Sequence, residues 1–192
     1  MDRSHREQGR EQRARVNRSL LHQGSIFSLF QDRLFYEDGK TQCFDIVVHP
    51  GAVVLVPIDS RGRLILIKQW RRGAQQVLIE CPAGIVEKGE CLVDSAQREL
   101  REETGMRAGR LVSLGDFFSA PGYCTECFHF FLAEDLVEDP LWSEDSELID
   151  LFPLSLEEGF TLIERGKIVD IKTSMGIFLY RFWKARRRRE GG

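Results

Sequence analysis

No stretch of this sequence stays apolar for anything near the roughly 18 residues that a membrane-spanning helix needs, so a membrane partner is not expected. The opening residues, "MDRSHREQGREQRARVNR", contain no apolar core and so do not form a secretory signal. Their arginine content leaves an organelle-targeting peptide as a formal alternative. Cysteine is scarce and odd in number, five in 192 residues, which argues against a disulfide framework and for a reducing cytoplasm. Cys124 and Cys127 form a single C-x-x-C without the second ligand pair of a structural zinc site, so buried or loop thiols are the better reading. Charge of one sign is also lacking. A net charge of −3 argues neither for nor against a nucleic-acid partner, and none is expected.

What is present is an ordinary globular composition, 42% hydrophobic and 30% charged, in a chain long enough for one domain with extra length at its ends. Residues 1–18 hold an excess of arginine over acid and suggest a flexible basic arm. Residues 19–50 suggest short strands, with "EDGK" as a turn between apolar-rich flanks. From Gly51 the core begins. "AVVLVPID" and "RLILIKQW" are β-rich runs around "SRGR", which predicts a hairpin with strands at about Ala52–Pro57 and Leu64–Gln69. Further strands are expected at "QVLIECPAG", "GRLVSLGDFFS", "CFHFFLAEDL" and "LIDLFPL", and closing helices at about Ser155–Arg165 and Asp170–Arg186. Strands, a central helix, then strands and helices give an α/β or α+β sandwich with a mixed sheet.

The central helix is the most informative segment. In "GIVEKGECLVDSAQRELREETGM" the period switches from two to 3.6: Leu92, Ala96 and Leu100 make one apolar face, with Gly105 as a stop signal. The same piece carries Glu87, Glu90, Asp94, Glu99, Glu102 and Glu103. Glu99 and Glu103, four apart, lie on one stripe and repel by a few tenths of a kcal/mol. Arg98 stands four residues before Glu102 and can pair with it. A solvated face laced with ion pairs would explain such charge, and so would a hard divalent cation held by carboxylate oxygens.

The spacing favours the cation. Gly84, Glu90, Arg98, Glu99, Leu100, Glu102, Glu103, Gly105 and Met106 reproduce nine specified positions of G-x5-E-x7-R-E-U-x-E-E-x-G-U, with U apolar. The segment resembles the signature of the Nudix hydrolases. That resemblance implies a Nudix α/β/α sandwich whose loop–helix–loop binds Mg2+ or Mn2+ and cleaves a nucleoside diphosphate linked to another group. It implies Glu99 and Glu103 as metal ligands, Glu102 as a further ligand or helper, and Arg98 as organiser of the carboxylates.

The flanks "HPGAVVLVPID", "LILIKQWR", "LIECPAG" and "FFSAPGYCTE", with Pro121 sixteen residues after Gly105, are similar to the ADP-ribose pyrophosphatase branch of that family. The similarity spans about Phe44 to Met175. It implies metal coordination by the main-chain carbonyl of Ala83, and a glutamate of the acidic loop serving the attacking water. Glu147 is the best positional match, with Glu144 and Asp145 as alternatives, since "EDSE" departs from the usual E-x-E. Arg71 and Arg72 resemble the element that meets phosphate or the terminal sugar, although a surface pair at a hairpin end would look the same. Glu80 matches a position near the sugar or adenine edge. The branch also implies a homodimer, with an aromatic from residues 19–50 (Phe27, Phe30, Phe35 or Tyr36) lent to the partner's adenine site.

These readings give a Nudix domain over 51–183 and a basic tail over 184–192, the tail being a solvated helix end. His49 is read as turn chemistry and His129 as a strand-face histidine. The expected substrate is ADP-ribose or a close ADP-sugar. The alternatives are another nucleoside-diphosphate sugar such as GDP-mannose or UDP-glucose, a non-catalytic ADP-ribose-binding module, and an RNA-cap hydrolase.

Overall fold

The computed structural model describes residues 2–143 and 148–190. Their elements run α1 (Arg3–Arg13), β1 (Arg15–Gln23), β2 (Ser28–Phe35), β3 (Thr41–Val48), β4 (Ala52–Pro57), β5 (Leu64–Arg71), β6 (Gln76–Glu80), β7 (Ala83–Ile85), α2 (Leu92–Thr104), β8 (Met106–Phe118), β9 (Cys127–Glu138), β10 (Asp150–Leu154), α3 (Leu156–Glu164) and α4 (Ile171–Glu190). Two compact units result: one holds the residues through Pro50 with Phe118–Glu126, the other Gly51–Phe117 and the residues from Cys127 onward. Among the described helices none is long and apolar enough to cross a membrane.

The first unit is an antiparallel sheet in the order β1-β2-β3. The turn at "EDGK" joins β2 to β3 as expected, with Gly39 at φ +79°, where a side chain is strained. Residues 1–18 depart from the arm that their composition suggested. Asp2 caps α1 by accepting from the His5 N–H, and Arg15 opens β1. Arg10 lies over the Tyr36 ring at 3.6 Å and pairs with Asp38 at 3.5 Å. A helix held by a cap and by cation contacts has no apolar stripe, so no hydrophobic period announces it.

The second unit carries a mixed sheet, β7-β4-β9-β8, and a three-stranded antiparallel sheet, β10-β5-β6. β4 pairs parallel with β9 and antiparallel with β7. Every residue of β4 is buried. Val53 and Leu55 pack in one cluster with Ala96 and Leu100 of α2, whereas Val54 and Val56 pack in the other with Ile177 and Tyr180 of α4. A strand buried on both faces between helices is what a continuous apolar run encodes. The expected α/β sandwich with a mixed sheet is therefore the observed fold.

One expected pairing is corrected. β4 and β5 form no hairpin; only the bridge between Ile58 and Leu64 joins their ends, and the strands enter different sheets. Both edges of β4 are already occupied, by β7 and β9. Pro57 also brings no N–H to a further ladder.

Candidate functional site

The site grows from α2 and from the strand it lies against. Cys91 caps the helix, its sulfur accepting from the Asp94 N–H, and Gly105 ends it at φ +71° with its N–H donating to the Arg101 carbonyl at 3.0 Å. Between these caps the buried face is Ser95, Ala96, Glu99, Leu100 and Thr104. A glutamate, 8% exposed, thus sits among core residues. Its carboxyl lies so close to Gly84 of β7 that a Cβ there would overlap it. One turn later Glu103 accepts the Ala83 N–H at 2.9 Å. The two glutamates expected on one stripe therefore both reach β7, at consecutive residues.

Arg98 gathers the other carboxylates. Its Nε and Nη2 donate to the two oxygens of Glu90 at 3.0 Å each, and Nη1 donates to Glu99 at 2.5 Å and Glu102 at 3.2 Å. Nη2 also donates to the Ile85 carbonyl at 3.1 Å. This planar fork holds three acids and the loop before the helix in one geometry, a task that a lysine cannot perform. The guanidinium is pushed above its ordinary pKa, first by the Glu90 hydrogen bonds.

Electrostatics separates Glu99 and Glu103 from the rest. Burial raises the Glu99 pKa, with the Arg98 hydrogen bond acting against it. Burial drives Glu103 further, up to about 8, opposed by the Ala83 N–H and by the charges of Arg71 and Lys172. Desolvated carboxylates resist ionisation unless a cation compensates them. Among the described residues no three His, Cys, Asp or Glu side chains converge into a ready-made metal cage. Two hard carboxylates beside a main-chain strand nevertheless fit a dication that keeps water in its shell.

A second cluster adjoins the first. Glu80, 1% exposed, accepts from Arg71 Nε at 3.0 and 3.1 Å, from Arg71 Nη2 at 2.7 Å and from Lys172 Nζ at 2.6 Å. Arg71 pulls the Glu80 pKa down against strong desolvation. Lys172 Nζ donates onward to Asp170 at 2.9 Å, and the Asp170 carboxylate accepts from the Thr173 N–H and hydroxyl. The Thr173 hydroxyl in turn accepts the Cys81 N–H at 2.7 Å. Arg72 is exposed in the turn after β5, where its carbonyl accepts from the Gln75 amide at 2.6 Å. Sequence reasoning missed Lys172, Asp170 and Thr173. Nothing in "DIKTS" signals chemistry, and only folding joins it to Glu80.

The structure thus brings Arg71, Glu80, Ala83, Arg98, Glu99, Glu102 and Glu103 into one unit, with Arg72 at its exposed edge. Glu147, and its alternatives Glu144 and Asp145, lie outside the described residues. Of the candidate aromatics in the other unit, Tyr36 is buried under Arg10, Arg15 covers Phe35, Arg18 approaches Phe30, and Phe27 is exposed. His129 pairs with Asp116 at 2.8 Å, as a strand-face histidine can.

Comparison with known proteins agrees with this geometry. The family profile described as NUDIX domain matches residues 48–172. ADP-ribose pyrophosphatase of Bacillus subtilis is 33% identical over 164 residues, covering 84% of this chain and 89% of that protein. Methanol dehydrogenase activator of Bacillus methanolicus is 31% identical, again over 84% and 89% of the two chains. A crystal structure of an ADP compounds hydrolase superposes with a TM-score of 0.81 at 24% identity, covering 91% of this chain and 95% of that one, which shows a shared fold. A fold with α2 seated on β7, and the full spaced signature running from β7 through that helix to the start of β8, define the class: this chain belongs to the Nudix family.

Proposed function

We propose that the protein hydrolyses the pyrophosphate bond of ADP-ribose or a related ADP-sugar, giving AMP and a sugar phosphate, with Mg2+ or Mn2+ as cofactor. The observation that carries this reading is the pairing of buried Glu99 and Glu103 against Ala83 and Gly84, with the cations Arg71 and Lys172 alongside. The ADP-ribose pyrophosphatase name of the B. subtilis relative supports the choice of substrate.

Glu99, Glu103 and the Ala83 carbonyl would hold the dication, which supplies positive charge to the phosphate oxygens and lowers the pKa of a bound water. Arg98 keeps the acids aligned, so that no reorganisation is needed when charge builds on the phosphate oxygens. Arg71 offers a guanidinium to a phosphate oxygen. Glu102, at the edge of the Arg98 network, and Glu147 of the acidic loop are the candidates to take the proton from water.

A panel of ADP-ribose, GDP-mannose and UDP-glucose with Mg2+, analysed for nucleoside monophosphate, tests the proposal. AMP from ADP-ribose should dominate. Preferential release of GMP from GDP-mannose would move the assignment to another nucleotide sugar, and binding without turnover would leave a sensing module. In the same assay Glu147→Gln should lower kcat by about 10²-fold, within the range for removal of a general base. An unchanged rate would shift that role to Glu102, Glu144 or Asp145.

The proposed assembly is a homodimer formed through the N-terminal strands. β1 is exposed along its whole length and presents Val16, Leu20 and Leu21 to solvent. Light scattering should give twice the chain mass, and a monomer at assay concentration would exclude a shared adenine site. Five cysteines, all free, suit the reducing cytoplasm proposed as the location.

A further inference from the structure

Glu80, at the centre of the cluster, has two cationic partners, Arg71 and Lys172, the second of which it shares with Asp170. Glu80 is enclosed, its side chain 1% exposed, and its Oε2 is met both by Arg71, 38% exposed, and by Lys172, 11% exposed. The two cations are anchored differently. Lys172 is held at both ends, by Glu80 at 2.6 Å and by Asp170 at 2.9 Å, and Asp170 is fixed by the N–H and hydroxyl of Thr173. Arg71 is bound to Glu80 through Nε and Nη2 only, so Nη1 takes no part in the pairing. The more exposed member is the arginine, and its charge, like that of Lys172, reaches Glu103 of the neighbouring carboxylate pair.

Resting on the hydrolase reading above, we propose that Lys172 is a positioning residue: it keeps a charge-assisted partner on Glu80 so that Arg71 can leave that carboxylate and take a pyrophosphate oxygen of the substrate. An arginine that is the sole partner of a buried carboxylate cannot leave, because the charge left behind would be unpaired in a poorly solvated place. With Lys172 in place, the departing guanidinium exchanges one oxyanion for another, and Glu80 retains a charge-assisted partner. Asp170 and Thr173 serve the same end by preventing Lys172 from following the arginine. The cluster thus behaves as a preloaded clasp on Arg71, opened by the arrival of phosphate. No such division of labour follows from a plain structural staple, in which Arg71 would simply tie β5 to β6 and Lys172 would tie β6 to α4.

The test is equilibrium binding of the non-hydrolysable α,β-methylene analogue of ADP-ribose with Mg2+, read by calorimetry, alongside thermal melting. Lys172→Gln keeps an amide donor between Glu80 and Asp170 but removes the charge. It should weaken binding about tenfold, the scale of one charge-assisted hydrogen bond. In steady-state assays the loss should fall on KM rather than kcat. Adding Glu80→Gln to that variant removes the carboxylate that retains Arg71, and most of the lost affinity should return even if melting falls further. Arg71→Met should weaken binding in the wild type and add little in Lys172→Gln, a coupling that a double-mutant cycle measures. Binding by Lys172→Gln within twofold of the wild type would overturn the proposal. So would a double variant that binds as weakly as Lys172→Gln or worse, the outcome of a staple. Should Lys172→Gln fail to fold, Lys172→Arg against Lys172→Met carries the same comparison, with loss expected in the methionine variant alone and equal binding overturning the proposal. A wild type that binds the analogue but leaves ADP-ribose intact would overturn the hydrolase reading and spare the clasp; a wild type that binds none would overturn both.

Discussion

Replacing Glu103 by Gln should lower turnover of ADP-ribose by about 10³-fold, the upper range for loss of one group stabilising transition-state charge. The substitution keeps the side chain's length, and the amide oxygen can still accept the Ala83 N–H that Glu103 receives at 2.9 Å. Fold and melting temperature should therefore change little. What disappears is a negative charge that burial already places at a disadvantage, with a pKa of about 8, and that a dication would restore. Calorimetry should show weaker Mg2+ uptake than in the wild type, while the nucleotide analogue still binds. AMP release at an unchanged rate would refute a role for this carboxylate in holding metal, and the proposed mechanism with it.

Gly84→Ala should produce nearly as large a loss through a different cause. Gly84 does not appear among the residues of positive φ, so alanine meets no dihedral strain there. The obstacle is spatial: the added methyl would occupy the place of the Glu99 carboxyl. Either Glu99 turns away, breaking its hydrogen bond to Arg98, or β7 moves off β4, where Gly84 pairs with Val53. Displacing a reacting group by about 1 Å costs on the order of 10²-fold in rate, and that is the expected loss in kcat. Overpacking of this kind also costs about 1–3 kcal/mol of stability, visible as a lower melting temperature. Wild-type kinetics in Gly84→Ala would mean that the approach of Glu99 to β7 has no part in catalysis.

The helix bearing the acids was legible before any fold was known. Leu92, Ala96 and Leu100 at helical spacing marked it, and Gly105 is the stop at which the observed helix ends. Glu99 and Glu103 could be placed on one stripe because the α-helical period is local. Their partners could not. The expected hairpin of β4 with β5 failed because edge occupancy belongs to the sheet, and a strand's own residues say nothing about who else pairs with it. α1 escaped notice because its supports are a cap and cation contacts to side chains more than twenty positions away, such as Tyr36 and Glu37.

The sequence alone determined the acidic helix, its glycine boundaries and the kind of ion those carboxylates suit, since each depends on spacing within a few turns. Tertiary structure decided that Glu99 is buried against Gly84, that Glu103 meets Ala83, and that Lys172 reaches Glu80 across 92 positions. Desolvation and charge pairing act through space, and their strength depends on which distant segments exclude water from a group. Chain order does not encode that until the sheets have closed around it.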